Sequence, residues 1–140
     1  MTDNRSPGHL ENLRAAPTPY VEFLGLGYTE ASPDLVKAEL EVRPELCTKP
    51  DILHGGAVMS IADAMGGAAT VLNLKPGTWT TTIESKTNFL AAVPLGETAY
   101  AECRPIHRGR TTMVWETTIR RQDGKTAAVV TQTQLVLGEG

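Results

Sequence analysis

Residues 54–74 read HGGAVMSIADAMGGAATVLNL, and the fold turns on what this stretch can be. Alanine and methionine dominate it, and Lys75-Pro76-Gly77 stops it. The stretch predicts a buried helix that is apolar on nearly every side, and such a helix must be wrapped by other structure. It is a poor membrane span, because Asp63 sits at its centre and four glycines interrupt it. Gly66-Gly67 is costly inside a helix, which predicts close packing against another backbone at that point.

Downstream of the helix the pattern changes to strands. Residues 79–91 (WTTTIESKTNFLA) are dense in β-branched and aromatic types. Residues 97–107 put Ala99, Ala101 and Cys103 on one face, and residues 111–121 do the same with Met113, Trp115 and Ile119. Asp123-Gly124 supplies a turn into a last strand over 126–137. Upstream, Val36, Ala38, Leu40 and Val42 alternate with Lys37, Glu39, Glu41 and Arg43, the pattern of a half-buried antiparallel strand. Pro44 and Pro50 mark residues 44–53 as a loop, and residues 18–25 (TPYVEFLG) read as a short helix ending at Gly25. Residues 1–16 are polar and read as a flexible segment ahead of a single domain over 17–140. One long helix followed by a strand meander, with an earlier strand ahead of it, predicts an α+β fold. Its antiparallel sheet curls around the helix, and a partner subunit covers the rest.

Composition narrows the function. A chain of 140 residues with 41% hydrophobic and 21% charged residues is one globular domain. With 13 Lys+Arg against 16 Asp+Glu there is no general basic field to hold a nucleic-acid backbone, although a local anion pocket is compatible with it. Cys47 and Cys103 form no CxxC pair, which argues against a disulfide framework and against zinc. Reduced thiols and the lack of an apolar run in residues 1–20 predict a cytoplasmic protein with no signal peptide.

Two features of the helix carry chemistry. Asp63 lies among Ile61, Ala62, Ala64 and Met65, where an ionised carboxylate is expensive to bury without a partner. Function and structural anchoring weigh equally for it. His54-Gly55-Gly56 stands where the helix begins, so free N–H groups and the positive end of the dipole point outward, a donor set suited to a developing oxyanion. A plain Gly cap fits the same three residues.

These two features constrain each other. Gly55 and Asp63 are eight residues apart, roughly 12 Å along one helix, so they cannot act on the same carbonyl carbon from one chain. Either only one is functional, or Gly55 of one subunit meets Asp63 of another across antiparallel helices in a symmetric dimer. His107-Arg108-Gly109-Arg110-Thr111 is a basic tight turn suited to phosphate, although its spacing alone favours an ordinary solvated hairpin. No GxSxG, Walker A, GxGxxG or HExxH pattern occurs, which removes the serine-hydrolase, nucleotidase, Rossmann and zincin readings.

His54-Gly55-Gly56-Ala57 followed by Ile61-Ala62-Asp63 resembles the HGGxxxxLxD signature of hotdog-fold acyl-CoA thioesterases of the phenylacetate-degradation type, in the 4-hydroxybenzoyl-CoA thioesterase superfamily. The similarity continues through Thr82–Leu90, Leu95-Gly96-Glu97 and Ile106–Thr111. The resemblance implies a hotdog fold, a dimer with a continuous sheet, usually paired into a tetramer, and hydrolysis of acyl-CoA.

By position, Asp63 matches the family's acidic catalytic residue, as nucleophile or general base. Gly55 matches the residue whose N–H polarises the thioester carbonyl, with Gly56 beside the substrate; His54, read from the residues alone, is a candidate general base or a hydrogen-bonded residue positioning the loop. Thr82 falls near a hydroxyl that in some members helps orient the attacking water, and Arg108, Gly109, Arg110 and Thr111 lie in the turn that often approaches the CoA phosphates. Thr48 stands where members commonly carry Asn or Gln, six residues before the His. CoA arrives with the substrate, so neither metal nor organic cofactor is expected. The alternative function is a non-catalytic acyl-CoA binding or sensing module, which has no reason to keep a carboxylate beside a thioester.

Overall fold

The apolar stretch does form one long helix, and it begins at the HGG. In the computed structural model, which describes residues 8–139, the elements are α1 (His9–Ala15), α2 (Pro19–Leu24), β1 (Gly27–Ser32), β2 (Leu35–Glu41), a 3-10 turn (Pro44–Leu46), β3 (Cys47–Thr48), β4 (Ile52–Leu53), α3 (Gly55–Val71), β5 (Thr78–Phe89), β6 (Thr98–Arg108), β7 (Thr112–Arg120) and β8 (Thr126–Gly138). Six strands form one antiparallel sheet in the order β1-β2-β6-β7-β8-β5, and β3 pairs with β4 as a separate small hairpin. The sheet curls about α3, which touches β2, β5, β6, β7 and β8.

The core follows the period-two pattern. Val36, Ala38 and Leu40 of β2, Ala99, Ala101 and Cys103 of β6, and Met113, Trp115 and Ile119 of β7 are buried against Val58, Ile61, Met65 and Ala69 of α3. Trp115 brings a polar N–H inside, and an unpaired buried donor would be costly. Its Nε1 donates to Thr70 Oγ1 at 2.8 Å, and that hydroxyl donates to Gly66 O at 2.7 Å. Helix and sheet are thereby fixed to each other at Thr70.

Several expectations need correction. The single chain leaves Met59, Asp63 and Val71 of the helix exposed, on the part that the sequence reading leaves to a partner subunit. Asp63 is therefore not a buried carboxylate here, because it lies on the side of α3 turned away from the sheet's middle strands. Gly66 accommodates a side chain rather than a backbone, since an added Cβ would sit 1.5 Å from Gln132 Oε1. Residues 44–53 are not simply loop, because a 3-10 turn and the β3–β4 hairpin lie within them.

The segment read as flexible contains α1. Gly8 N donates to Glu11 Oε2 at 2.7 Å, Leu10 and Leu13 pack on the core, and Arg14 Nε donates to Tyr28 O at 3.0 Å. Residues 1–7, the rest of that reading, lie outside the described residues. As expected, Gly25 ends α2 in the left-handed conformation, at φ 75°. Strand β1 carries no alternation because it is an edge strand with only Tyr28 buried.

Candidate active site

Asp63 is held from the sheet. Strands β5 and β8 run antiparallel with Thr82 directly opposite Gln134, and a bulge follows at Ile83. Bulges re-aim side chains next to functional sites, and this one leaves Thr82 on the helix side. Thr82 Oγ1 donates to Asp63 Oδ1 at 2.8 Å and accepts from Gln134 Nε2 at 2.6 Å. Gln132 Nε2 reaches the same Asp63 Oδ1 at 2.5 Å and Thr82 Oγ1 at 3.2 Å. Thr80 Oγ1 sits 2.8 Å from Gln134 Oε1, extending the chain of polar groups along β5. Asp63 Oδ1 thus receives two donors, while Oδ2 has no protein partner among the described residues.

The carboxylate lines a cavity of about 450 Å³ enclosed by the α1–α2 connection, Tyr28 and the outer side of α3. Its wall is mostly apolar, built from Leu13, Val21, Ala64, Ala68 and Val71. Gly67 faces it with open space where a Cβ would be.

The start of α3 supplies one free donor. His54 is the N-cap, and its Nδ1 accepts from Gly56 N at 2.8 Å. The amides of Ala57 and Val58 both donate to His54 O, at 2.9 and 3.1 Å. Of the four amides that a helix N-terminus leaves over, only that of Gly55 has no protein acceptor among the described residues. Gly56, expected beside the substrate, has its N–H taken by His54. An added Cβ at Gly55 would lie 3.3 Å from Phe89 Cε1, so glycine lets the end of β5 close over this amide. Ser60 donates to Gly56 O and meets Tyr20 Oη, both at 2.8 Å, which braces the first turn against α2.

The remaining sequence candidates lie apart from this pair. Thr48 is exposed in β3 opposite Ile52 and does not touch Asp63. Arg108, Gly109, Arg110 and Thr111 line a second, more polar cavity of about 660 Å³ beyond the C-terminal end of α3, with Asn73 and Lys75. Arg108 is engaged there, with Nη1 2.6 Å from Asp34 Oδ1 and 3.0 Å from Pro33 O. Gly109 N donates to Thr112 O at 2.8 Å. Arg110 is exposed on the cavity's rim. Burial pushes the Cys103 thiol up to about 11, which keeps it protonated and unreactive at neutral pH.

Sequence reading missed the glutamines. In β8 the run Thr131-Gln132-Thr133-Gln134 alternates, and Gln132 and Gln134 are 2% and 1% exposed on the face that carries Ala128 and Val130. Two amides in the buried register of an apolar strand were the available signal.

The comparisons with known proteins agree with this fold. Residues 51–128, more than half of the chain, match the Thioesterase superfamily. The proofreading thioesterase EntH of Cronobacter sakazakii is 30% identical over 118 residues, covering 84% of this chain and 85% of EntH. The crystal structure of thioesterase HI1161 from Haemophilus influenzae has a TM-score of 0.86 at 25% identity, covering 99% of this chain and 96% of that one. That of smu.793 from Streptococcus mutans, bound to acetyl CoA, has a TM-score of 0.76 at 26% identity, covering 81% and 90%. The helix wrapped by an antiparallel sheet and these likenesses lead to one conclusion: the chain belongs to the Thioesterase superfamily and is a hotdog-fold thioester hydrolase.

Proposed function

We propose that the chain hydrolyses acyl-CoA thioesters as a homodimer, with Asp63 of one subunit and the Gly55 amide of the other acting on the same carbonyl. The observation that carries this reading is a carboxylate that lines an apolar cavity and is pinned through Oδ1, with Oδ2 left without a protein partner among the described residues. Asp63 Oδ2 takes a proton from water as the oxygen adds to the thioester carbon, and the Gly55 N–H receives the oxyanion. Collapse of that adduct expels the CoA sulfur, which recovers the proton, and leaves the free acid. Direct attack by Asp63 uses the same geometry, with an anhydride that water then opens.

A dimer is favoured because β5 is a twelve-residue edge strand and long unpaired edges invite pairing. Ile83, Phe89 and Leu90 on or just beyond it are 56%, 56% and 59% exposed. Pairing two copies of β5 about a two-fold axis continues the sheet and sets the two α3 helices side by side. Gly55 and Asp63, too far apart within one chain, then face each other across the axis.

Two such dimers would associate as a tetramer, in the manner of cytoplasmic acyl-CoA thioesterases of the phenylacetate-degradation type. His54 fixes the first turn, Gly56 closes that cap, and Thr48 borders the partner's site. The apolar cavity beside Asp63 takes an apolar acyl group, aromatic or of medium length. Neither metal nor organic cofactor takes part.

The bound acetyl CoA in the smu.793 structure supports a CoA carrier. The cavity at Arg110 and Thr111, braced by Arg108 and Gly109, is suited to its phosphates. The test is thiol release from a series of acyl-CoA esters, repeated with the same acyl groups on pantetheine. Arg110→Ala raises KM for the CoA ester by about three- to tenfold, on the scale of one charge-assisted contact at an exposed site. KM for the pantetheine ester, which lacks the nucleotide phosphates, stays unchanged. An equal rise for both carriers places the phosphates elsewhere.

A further inference from the structure

Gln132 is a buried amide whose two ends have opposite surroundings. Its Nε2 donates to Asp63 Oδ1 at 2.5 Å and lies 3.2 Å from Thr82 Oγ1. Its Oε1 is buried with no hydrogen-bond partner among the described residues. That oxygen fills the notch left by Gly66, where a Cβ would lie 1.5 Å from it. Folding alone gives no reason for a buried, unsatisfied carbonyl, since an apolar side chain of similar length would fill the same space without the loss. The arrangement makes sense if the other end of the amide is needed.

We infer that Gln132 is a positioning residue for the thioester-hydrolysing carboxylate, and that Gly66 sets its direction. Reversing the amide would turn Oε1 on Asp63 Oδ1, acceptor against acceptor, which only a protonated Asp63 relieves. With the amide seated in the Gly66 notch, its N–H₂ favours the ionised carboxylate and occupies Oδ1. Oδ2 then remains the oxygen without a protein partner among the described residues. Thr82 shares this task, but its hydroxyl can rotate, whereas the Gln132 amide is locked between helix and sheet. The groups around Asp63 add no competing charge: Ser60 on α3, Thr80 and Thr82 on β5, and Gln132 and Gln134 on β8 are neutral. Tyr20 of α2 and Tyr28 of β1 are the titratable groups that share its cavity. Burial pushes Tyr28 above its ordinary value, so it too is neutral in the working range.

This assignment rests on the proposed role of Asp63, and its test separates the two. Gln132→Met keeps length and removes the donor; Gly66→Ala keeps the donor and evicts the oxygen from its notch. Both are expected to lower kcat about tenfold or more with KM little changed, and to move the acid limb of the kcat/KM profile to higher pH. The direction follows because losing a donor to the charged form disfavours that form. Carbon-detected NMR titration of the Asp63 carboxyl reads the same displacement without needing turnover. The double variant is expected to lose little beyond Gln132→Met alone, since Met has no oxygen to evict. Thr133→Val, outward-facing on the same strand, should leave the profile in place.

A displaced Asp63 titration in a protein that releases no thiol from any ester supports the positioning role and overturns hydrolysis through Asp63. Unmoved titration midpoints in both variants overturn the positioning role, whether or not turnover is seen.

Discussion

Replacing Asp63 by Asn is expected to lower kcat for acyl-CoA hydrolysis by about 10²–10⁴, the contribution of a positioned proton acceptor or nucleophile. Folding should be nearly unaffected. The side chain is exposed, and surface substitutions usually fall within about 0.5 kcal/mol. The amide oxygen of Asn can still accept from Thr82 and Gln132, which hold Asp63 Oδ1. What is lost is the second oxygen, the one that no described protein group holds, because an NH₂ group in its place can neither take a proton nor attack a carbonyl. KM should therefore change little while kcat falls, the signature of an interaction needed only on the way to the transition state. Urea unfolding alongside thiol release checks both parts. Activity near that of the parent chain would remove Asp63 from the mechanism.

The second large effect is expected at Gly55. This residue is the first of α3, where proline is readily accepted because the amide there has no helical partner. His54 before it has ψ 139°, an extended conformation that a following proline favours. Gly55→Pro therefore deletes the proposed oxyanion donor while keeping the helix start. The expected loss in kcat is about 10²–10³, the scale of one such donor. Gly55→Ala separates this from crowding: it keeps the N–H and adds a Cβ 3.3 Å from the Phe89 ring. The alanine variant should retain most of what the proline variant loses. Equal losses in the two would assign the effect to Phe89 rather than to the amide.

The fold was legible where periodicity and burial coincide. The apolar run of α3, the alternation of Val36, Ala38 and Leu40, and that of Met113, Trp115 and Ile119 each follow from which face meets the core, and the structure buries them so. Legibility failed where structure depends on a few specific bonds. The helix α1 rests on Glu11 capping Gly8 and on two leucines, too little to show as a periodic pattern. Strand β1 buries only Tyr28 and so has no alternation to read.

The site divides in the same way. Asp63 and Gly55 were visible because a carboxylate and a glycine pair are conspicuous in an apolar helix. Of the groups that hold Asp63, Thr82 was reached only through the family resemblance, and Gln132 and Gln134 were not seen, because they come from a strand some 69 to 71 positions away in the chain and act only after β5 and β8 pair in register. Sequence also placed Asp63 in a buried setting, since a helix this apolar gave no hint of which stripe the sheet leaves open.

The most direct measurement joins the two variants. Asp63→Asn and Gly55→Pro chains, each expected to be nearly inactive alone, are unfolded together in urea and refolded as a mixture. If each site takes Asp63 from one subunit and Gly55 from the other, half of the dimers are mixed, and each mixed dimer has one intact site and one doubly impaired one. Thiol release should recover to about a quarter of the parent activity. A mixture no more active than the two variants kept apart would contradict a site shared across the dimer.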